Sequence, residues 1–228
     1  MTSATKIKNL DCEKIFKLIE GGPTPKTFFN IGIGELESMD EALVFKAKFP
    51  DITVYGVEAN HNFIEIRKEN YPGEIFNFGI WSEKCKKTLA VPTHDEGRAS
   101  LLNQTKTWAE EKNFDVNYTV GIDCITLDDF DEMVKHPNRI FLWMDIEGAE
   151  LEALKGAQKL LSSKRIDYIS LEVSSLGLPG TQLQRRHNEP TIFEIDDYLS
   201  EFGFKRKEIY SRASIFVNAL YTREELQC

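Results

Sequence analysis

The sequence predicts an α/β protein with a doubly wound, mostly parallel sheet. Short apolar runs alternate with helical patterns along the 228 residues, which is typical of βαβ units. The runs are almost continuously apolar, as expected for strands that helices cover on both faces. Because crossovers between parallel strands are right-handed, such units build an open sheet. The five clearest runs are residues 27–32, 52–58, 74–80, 140–144 and 168–173.

The intervals between these runs carry helical patterns with identifiable ends. Apolar residues spaced by three or four predict helices at 36–47, which Pro50 closes, at 61–70 and at 149–163. Thr126 with Asp129, and Thr191 with Glu194, predict capped helix starts. Residues 204–209 and 214–220 predict a closing antiparallel hairpin. The stretch from 81 to 138 is less regular, with strands expected at 88–91 and 118–125 and a helix at 104–112.

Composition and charge exclude several classes of protein. Hydrophobic residues make up 41% and charged residues 29% of the chain, so it is neither disordered nor fibrous. The 28 basic and 37 acidic residues give a net charge of −9, which argues against nucleic-acid binding. No apolar run is long enough to span a bilayer, and residues 1–6 lack the apolar core of a signal peptide. We expect one cytoplasmic domain over 1–228, with an N-terminal helical extension over about 1–25.

The four cysteines are spaced too widely to indicate a zinc site or a disulfide framework. Cys12, Cys85, Cys124 and Cys228 form no CxxC pair. We interpret them as reduced thiols of a cytosolic protein, without a special role.

Polar residues and glycines collect where the predicted strands end. Ligands of open α/β sheets bind beyond the carboxyl ends of the strands, so these positions are the candidate site. Asp145 ends a run of five apolar residues, and a carboxylate there lies either at a mouth or buried at a cost. The other strand-end residues are Asn30, Gly32, Gly34, Glu58, Glu147 and Glu172.

The glycine pair and Glu58 indicate a nucleoside-containing ligand. Gly32 and Gly34 would let a ligand approach the backbone, although a tight structural turn explains them equally well. The dinucleotide pattern G-x-G-x-x-G is incomplete, because Glu37 stands at the third glycine. The acidic side chains that follow disfavour a pyrophosphate and favour a cationic or zwitterionic ligand. A carboxylate placed like Glu58 accepts hydrogen bonds from ribose hydroxyls.

The segment F-L-W-M-D-I-E-G-A-E (141–150), continued by L-K-G-A (154–157), resembles the hallmark of the FkbM-type methyltransferases. Weaker matches in the family's order are 30–32, 57–59, 76–82, 99–101, 125–128 and 169–172. The resemblance implies a Rossmann-like class I methyltransferase fold with a seven-stranded sheet and S-adenosylmethionine as cofactor. It also implies O-methylation of a sugar, glycan or secondary metabolite.

The resemblance assigns roles to the cofactor-binding residues. Gly32 and Gly34 would line the methionine part of the cofactor, Glu58 would hold the ribose, and residues around Phe78, Gly79 and Ile80 would border the adenine. Ala59, which stands where the family has Pro, is a further expected cofactor-binding residue. Asn30 stands where the family has Asp, which removes a charge facing the cofactor's ammonium group. Glu35 or Glu37 would partly replace that charge.

Methyl transfer to a hydroxyl needs a base, or a metal that lowers the pKa of the hydroxyl group. Asp145 and Glu172 are the candidates, either as base and orienting group or as ligands of a divalent ion, and the sequence leaves both open. His187 lies in a polar loop, expected to act as a lid, and is a third candidate, although an exposed loop histidine is the commoner case. Arginines 98, 185 and 186 could hold an acidic acceptor, although most such arginines are simply solvated.

Two other functions compete with methyl transfer. A non-catalytic relative would keep the fold as a nucleoside-binding module, and an NAD-dependent oxidoreductase is disfavoured by the missing third glycine. The acceptor, the metal dependence and the oligomeric state are not determined by the sequence.

Overall fold

The computed structural model describes residues 3–34, 40–93, 96–103, 115–176, 178, 185–212 and 215–223. Within them lie ten strands: β1 Thr27–Ile31, β2 Thr53–Glu58, β3 Glu74–Asn77, β4 Gly79–Ile80, β5 Cys85–Pro92, β6 Val116–Ile125, β7 Ile140–Met144, β8 Ile166–Ser174, β9 Phe204–Arg212 and β10 Phe216–Arg223.

Seven of these strands form one sheet in the order β3-β2-β1-β7-β8-β10-β9. The strands from β3 to β8 in this order pair in parallel, and β10 runs antiparallel to both β8 and β9. The expected doubly wound, seven-stranded sheet with a C-terminal antiparallel hairpin is confirmed. The connections leave β1 on one side towards β2 and β3, and the later strands β7 and β8 lie on its other side. This reversal places a ligand-binding crevice beside the end of β1.

A second sheet of three strands, in the order β4-β6-β5, was not predicted. The run 74–80, expected as one strand, divides: β3 joins the large sheet, and Gly79 and Ile80 pair in parallel with Cys124 and Ile125 of β6. The strands expected at 88–91 and 118–125 are longer than predicted. The partners of β4 and β5 are distant in sequence, so local periodicity could not assign them.

The helices are α1 Ser3–Leu18, α2 Glu41–Lys48, α3 His61–Arg67, α4 Leu127–Met133, α5 Glu150–Lys155, α6 Gln158–Ser162 and α7 Ile192–Ser200. Both predicted capping boxes, Thr126–Asp129 and Thr191–Glu194, are formed. The prediction of a single helix over 149–163 is wrong, because the helix ends at Gly156 and a second one begins at Gln158. A Cβ at Gly156 would come within 2.3 Å of the Trp81 carbonyl oxygen. Residues 35–39 and the helix expected at 104–112 lie outside the described residues.

Alternating side chains of the large sheet build two cores. On β1, Phe28 packs with Phe45 of α2 and Ile15 of α1 on one face, and Phe29 packs with Phe130 of α4 on the other. The N-terminal helix α1 therefore contributes side chains to the core beside α2. No helix within the described ranges is both long and apolar enough to cross a membrane.

Candidate functional site

A cavity of about 470 Å³ opens at the carboxyl ends of β1, β2, β7 and β8. Its volume is in the range of small-molecule sites. The strand-end residues predicted to meet do line it together, including Gly32, Glu58, Asp145 and Glu172. A separate hollow of about 370 Å³ lies near the ends of α1 and α2, at Gly21–Pro25 and Phe49, away from these strand ends.

The bend after β1 requires glycine at position 32. Gly32 has φ +85°, and a Cβ there would lie 2.0 Å from the Asp145 carbonyl oxygen. Its N–H donates to the Val57 carbonyl at 2.9 Å, and the Asp145 N–H donates to the Ile31 carbonyl at 3.0 Å. These bonds hold the ends of β1, β2 and β7 together at the cavity floor. Because the Asp145 carbonyl comes so close, no residue larger than glycine fits at position 32.

Glu58 is buried at the end of β2, and backbone amides fix its carboxylate. Its Oε2 accepts from the Gly34 N–H at 3.0 Å, and its Oε1 accepts from the Asn60 N–H at 2.7 Å. Burial raises the pKa of Glu58, and these two hydrogen bonds oppose the rise. Each carboxylate oxygen retains a further lone pair, so the group can accept hydrogen bonds from a ligand's hydroxyls without losing its own support.

An apolar wall closes one side of the cavity. Ala59, Phe78, Gly79 and Ile80 line it, and Leu89 and Leu101 extend it. Leu89 lies on β5, so the unpredicted second sheet supplies part of this wall. A flat aromatic ligand group fits such a slot.

Three carboxylates meet at the other end of the cavity. Ligand oxygens of Asp145, Glu147 and Glu172 all lie within 4.8 Å of one another. Burial, followed by the charges of Asp145 and Glu147, raises the pKa of Glu172 well above its ordinary value, and Arg185 opposes this rise. Crowded like charges favour either a bound proton or a cation between them.

Two buried arginines partly balance these carboxylates. Arg185 and Arg186 are only 4% and 2% exposed, so the expectation that such arginines are solvated is wrong. The Arg185 Nη1 lies 3.6 Å from Glu147 and 3.7 Å from Glu172, and Arg186 forms an ion pair with Glu147. Glu189 anchors Arg185 through an Nη2–Oε1 contact of 2.7 Å. Buried guanidinium groups need such partners, which sequence spacing does not reveal.

Glu150 organises the turn that follows β7. Its side chain is fully buried, and its Oε1 accepts from the Ile146 N–H at 3.1 Å and the Gly148 N–H at 3.3 Å. Burial raises the pKa of Glu150 to about 8. Glu147 and Gly148 in this turn both have positive φ. The hallmark segment thus divides its acidic residues: Asp145 faces the cavity, Glu147 pairs with the arginines, and Glu150 supports the backbone.

Two predicted site residues lie elsewhere. Asn30 is 1% exposed and is absent from the described cavity lining, because its side chain shares the sheet face of Phe28. Neither of its amide atoms has a hydrogen-bond partner among the described residues. His187 is exposed and is also absent from the described lining. Their proposed roles in cofactor binding and catalysis therefore stay predictions.

Glu41 is a cavity residue that the sequence reasoning missed. It lies in the first turn of α2, directly after the N-cap Asp40, and lines the cavity. The helix was expected to begin at residue 36, which put position 41 beyond its first turn, so the start of this helix was not recognised as part of the site. Glu35 and Glu37, the expected carboxylates, lie outside the described residues.

The cavity has a negative balance of charge. Among its described lining residues, six carboxylates face two guanidinium groups: Glu41, Glu58, Glu96, Asp145, Glu147 and Glu172 against Arg98 and Arg185. Such a lining favours a ligand with a net positive charge.

Comparisons with known proteins agree with this geometry. The family model described as "Methyltransferase FkbM domain" matches residues 32–206. A candidate methyltransferase from Thermobifida fusca YX aligns with a TM-score of 0.51 and 11% identity, over 96% of this chain and 80% of that chain. The plantazolicin methyltransferase BpumL, solved with SAH and a triazolic desmethylPZN analogue, aligns with a TM-score of 0.50 and 11% identity, over 97% and 86% of the two chains. At this identity the likeness shows the fold. No curated protein matches the sequence.

Proposed function

Because the chain belongs to the FkbM methyltransferase domain family, we propose that it transfers a methyl group from S-adenosylmethionine to a hydroxyl group. The acceptor would be a sugar, a glycan or a secondary metabolite. The observation that carries the proposal is the convergence of Gly32, Glu58, Asp145 and Glu172 on one acidic cavity. The binding of SAH by BpumL, a protein of the same fold, supports the choice of cofactor.

The cavity fits S-adenosylmethionine in four respects. Gly32 and Gly34 both line the cavity, and no atom lies within 4 Å of the position that a Cβ of Gly34 would take, so a ligand can approach the backbone there. Glu58 offers spare lone pairs to ribose hydroxyls. The wall at Phe78, Gly79 and Ile80 accommodates the adenine. The acidic lining suits a cofactor whose sulfonium and ammonium groups outnumber its carboxylate. We assign the ammonium to Glu41 rather than Asn30, because Glu41 lines the cavity.

Bound S-adenosylmethionine supplies an activated methyl carbon, so the protein's task is alignment and proton removal. Glu172 is the proposed base, since burial and the neighbouring charges of Asp145 and Glu147 raise its pKa, which strengthens it as a proton acceptor. Asp145, on the neighbouring strand end, orients the acceptor hydroxyl. Arg185 stabilises the ionised cluster from the opposite side, 3.7 Å from Glu172.

A divalent cation is the alternative way to activate the hydroxyl. Oxygens of Asp145, Glu147 and Glu172 within 4.8 Å of one another are the hard ligands that Mg²⁺ prefers. Arg185 and Arg186 already supply positive charge to this cluster, which favours the metal-free base. Activity that disappears on treatment with EDTA and returns with Mg²⁺ would establish the metal instead.

The residues around the three carboxylates support a hydroxylated acceptor with an apolar face. Trp143, Ile215 and Phe216 line the cavity beside Glu172 and Arg185. The Arg185 guanidinium lies 5.9 Å from the centroid of the Phe216 ring. A sugar ring presents hydroxyls to charged groups and a C–H face to such apolar walls, so a sugar hydroxyl is the preferred acceptor class.

The test combines binding and turnover. We expect calorimetry to show binding of S-adenosylmethionine and S-adenosylhomocysteine, and no binding of NAD⁺. Transfer of labelled methyl to a panel of glycosides and hydroxylated metabolites would identify the acceptor. Glu172→Gln should lower the rate by roughly 10²–10⁴-fold with cofactor affinity retained, because it removes the base. Glu208→Gln, on the exposed edge of β9, is the matched control.

Two results would contradict the proposal. Binding of NAD⁺ in preference to both adenosyl ligands would favour the oxidoreductase. If wild type and Glu172→Gln bind the cofactor equally and neither transfers a methyl group to any acceptor, the non-catalytic nucleoside-binding module is favoured.

A further inference from the structure

The second sheet brings together two cysteines that are distant in the sequence. Strands β5 and β6 pair antiparallel, and Cys85 lies directly opposite Cys124. Residues that are directly opposite in an antiparallel pair project to the same face of the sheet. The two thiols are therefore neighbours on that face. Both thiols are free in the structure, as expected, and the wide spacing in the sequence did not reveal that they are neighbours.

The register of the pair satisfies the distance requirement for a disulfide. Directly opposed residues in antiparallel strands have Cα atoms about 4.5 or 5.5 Å apart, depending on the hydrogen-bonding pattern. Disulfides join Cα atoms that are roughly 4.4–6.8 Å apart. A bond between Cys85 and Cys124 therefore requires side-chain movement without separation of the two strands.

The two thiols differ in their exposure to solvent. Cys124 is 3% exposed, and Cys85 is half-buried. Burial raises the pKa of Cys124 to about 11, and the neighbouring Cys85 contributes to this rise. An oxidant therefore reaches Cys85 first. Once Cys85 is in a mixed disulfide, its ionisable thiol no longer opposes ionisation of Cys124.

Cys124 also touches the wall of the cofactor cavity. It pairs with Gly79 of β4, and a Cβ at Gly79 would lie 2.7 Å from the Cys124 Sγ. Gly79 lines the cavity at the end assigned to the adenine. A sulfur drawn towards Cys85 must withdraw from Gly79, because a covalent S–S bond is much shorter than the contact between two thiols. The wall then loses the support beneath β4.

We propose that Cys85 and Cys124 form a reversible disulfide whose formation weakens cofactor binding at the Gly79 wall. The oxidant is a small disulfide such as glutathione disulfide. The Cys85 thiolate attacks one of its sulfurs, and one glutathione thiolate leaves. The Cys124 sulfur, after losing its proton to solvent, attacks Cys85 and displaces the second glutathione. Two cysteine thiols are oxidised, and one glutathione disulfide is reduced to two thiols.

The first experiment tests the bond itself. The full chain is incubated with excess glutathione disulfide, and its cross-linked peptides are mapped by mass spectrometry. We expect a Cys85–Cys124 link, loss of two hydrogens, and full reversal by dithiothreitol. Cys85→Ser should abolish the link, and Cys228→Ser, the matched control, should retain it. Absence of the link, or preferential linking of either cysteine to Cys12 or Cys228, overturns the proposal.

The second experiment tests the coupling, which rests on the proposed function. We expect the oxidised chain to bind S-adenosylmethionine about fivefold or more weakly than the reduced chain. By linkage, saturating cofactor should disfavour the disulfide by the same factor. The Cys85→Ser variant should bind equally before and after oxidant, and an oxidised wild type with unchanged affinity overturns the coupling. If the reduced chain itself does not bind the cofactor, the proposed function fails, while the mapped link stands independently.

Discussion

Glu58 combines burial with the capacity to bind a ligand. A buried carboxylate is costly unless it is hydrogen-bonded, and the Gly34 and Asn60 amides supply that compensation before any ligand arrives. Because the same bonds fix the orientation of the carboxylate, a ribose would not have to order it. The residue is thus held in place by the bend it faces.

Substitution of Glu58 tests this assignment directly. Glu58→Ala should weaken S-adenosylmethionine binding by about 1–3 kcal/mol, since hydrogen bonds to the ribose hydroxyls are lost. Isothermal titration calorimetry provides the measurement. Glu65→Ala, which truncates a carboxylate that is 58% exposed on α3, should bind normally. An unchanged affinity for Glu58→Ala would remove the ribose assignment.

The turn between β7 and α5 is the element on which the site depends. It carries the positive-φ residues Glu147 and Gly148, and the buried Glu150 carboxyl holds two of its amides. The pKa of Glu150 is raised from 4.5 to about 8 by burial. The folded protein therefore retains a proton that the unfolded chain releases between these pH values. The contribution of the protonated Glu150 to stability is complete below about pH 4.5 and is lost as the pH rises towards 8.

The Glu150→Gln variant should lack this pH dependence. Relative to wild type, its free energy of unfolding should improve as the pH rises from about 5 to 8, by on the order of a few kcal/mol. Urea unfolding at both pH values measures the change. Glu69→Gln, an exposed substitution, should follow the wild type at both. Parallel pH profiles for Glu150→Gln and wild type would show that Glu150 is ionised in the folded protein.

At the scale of the whole molecule, the cavity joins the parts of the fold. Gly32, Glu58 and Asp145 lie at the strand ends of the large sheet, and the small sheet supplies Gly79 and Leu89. The segment before α7 adds Arg185, and Phe216 comes from the hairpin strand β10. A ligand in this cavity contacts elements from nearly the full length of the chain, so its binding should stabilise the fold as a unit.

Thermal unfolding with and without ligand measures that stabilisation. At a hundredfold excess over its dissociation constant, S-adenosylmethionine should add about 2.7 kcal/mol, because it binds only the folded state. For a chain of this length, that corresponds to a rise in Tm of roughly 5–10 °C. NAD⁺ at the same concentration should leave the Tm unchanged. A rise with NAD⁺ and none with S-adenosylmethionine would contradict the proposed function.

Local patterns in the sequence indicated the parallel strands, two helix starts, the position of the site and the family. The apolar runs indicated the parallel strands, and the pairs Thr126–Asp129 and Thr191–Glu194 indicated helix starts, because capping acts within one turn. Polar residues at strand ends indicated the site, since the carboxyl ends of parallel strands share one edge. The hallmark segment indicated the family, whose model matches residues 32–206.

Only the tertiary structure decided which distant residues meet. It placed Arg185 against Glu172, and Cys85 opposite Cys124, and it built the second sheet that completes the cavity wall. Asn30 and His187 are absent from the described cavity lining, and Glu41, which was not predicted, belongs to it. These outcomes depend on pairings across long sequence separations and on which face of a strand a side chain takes. Sequence periodicity encodes burial and local conformation, but the partner of a buried charge or thiol is fixed only when the whole chain packs.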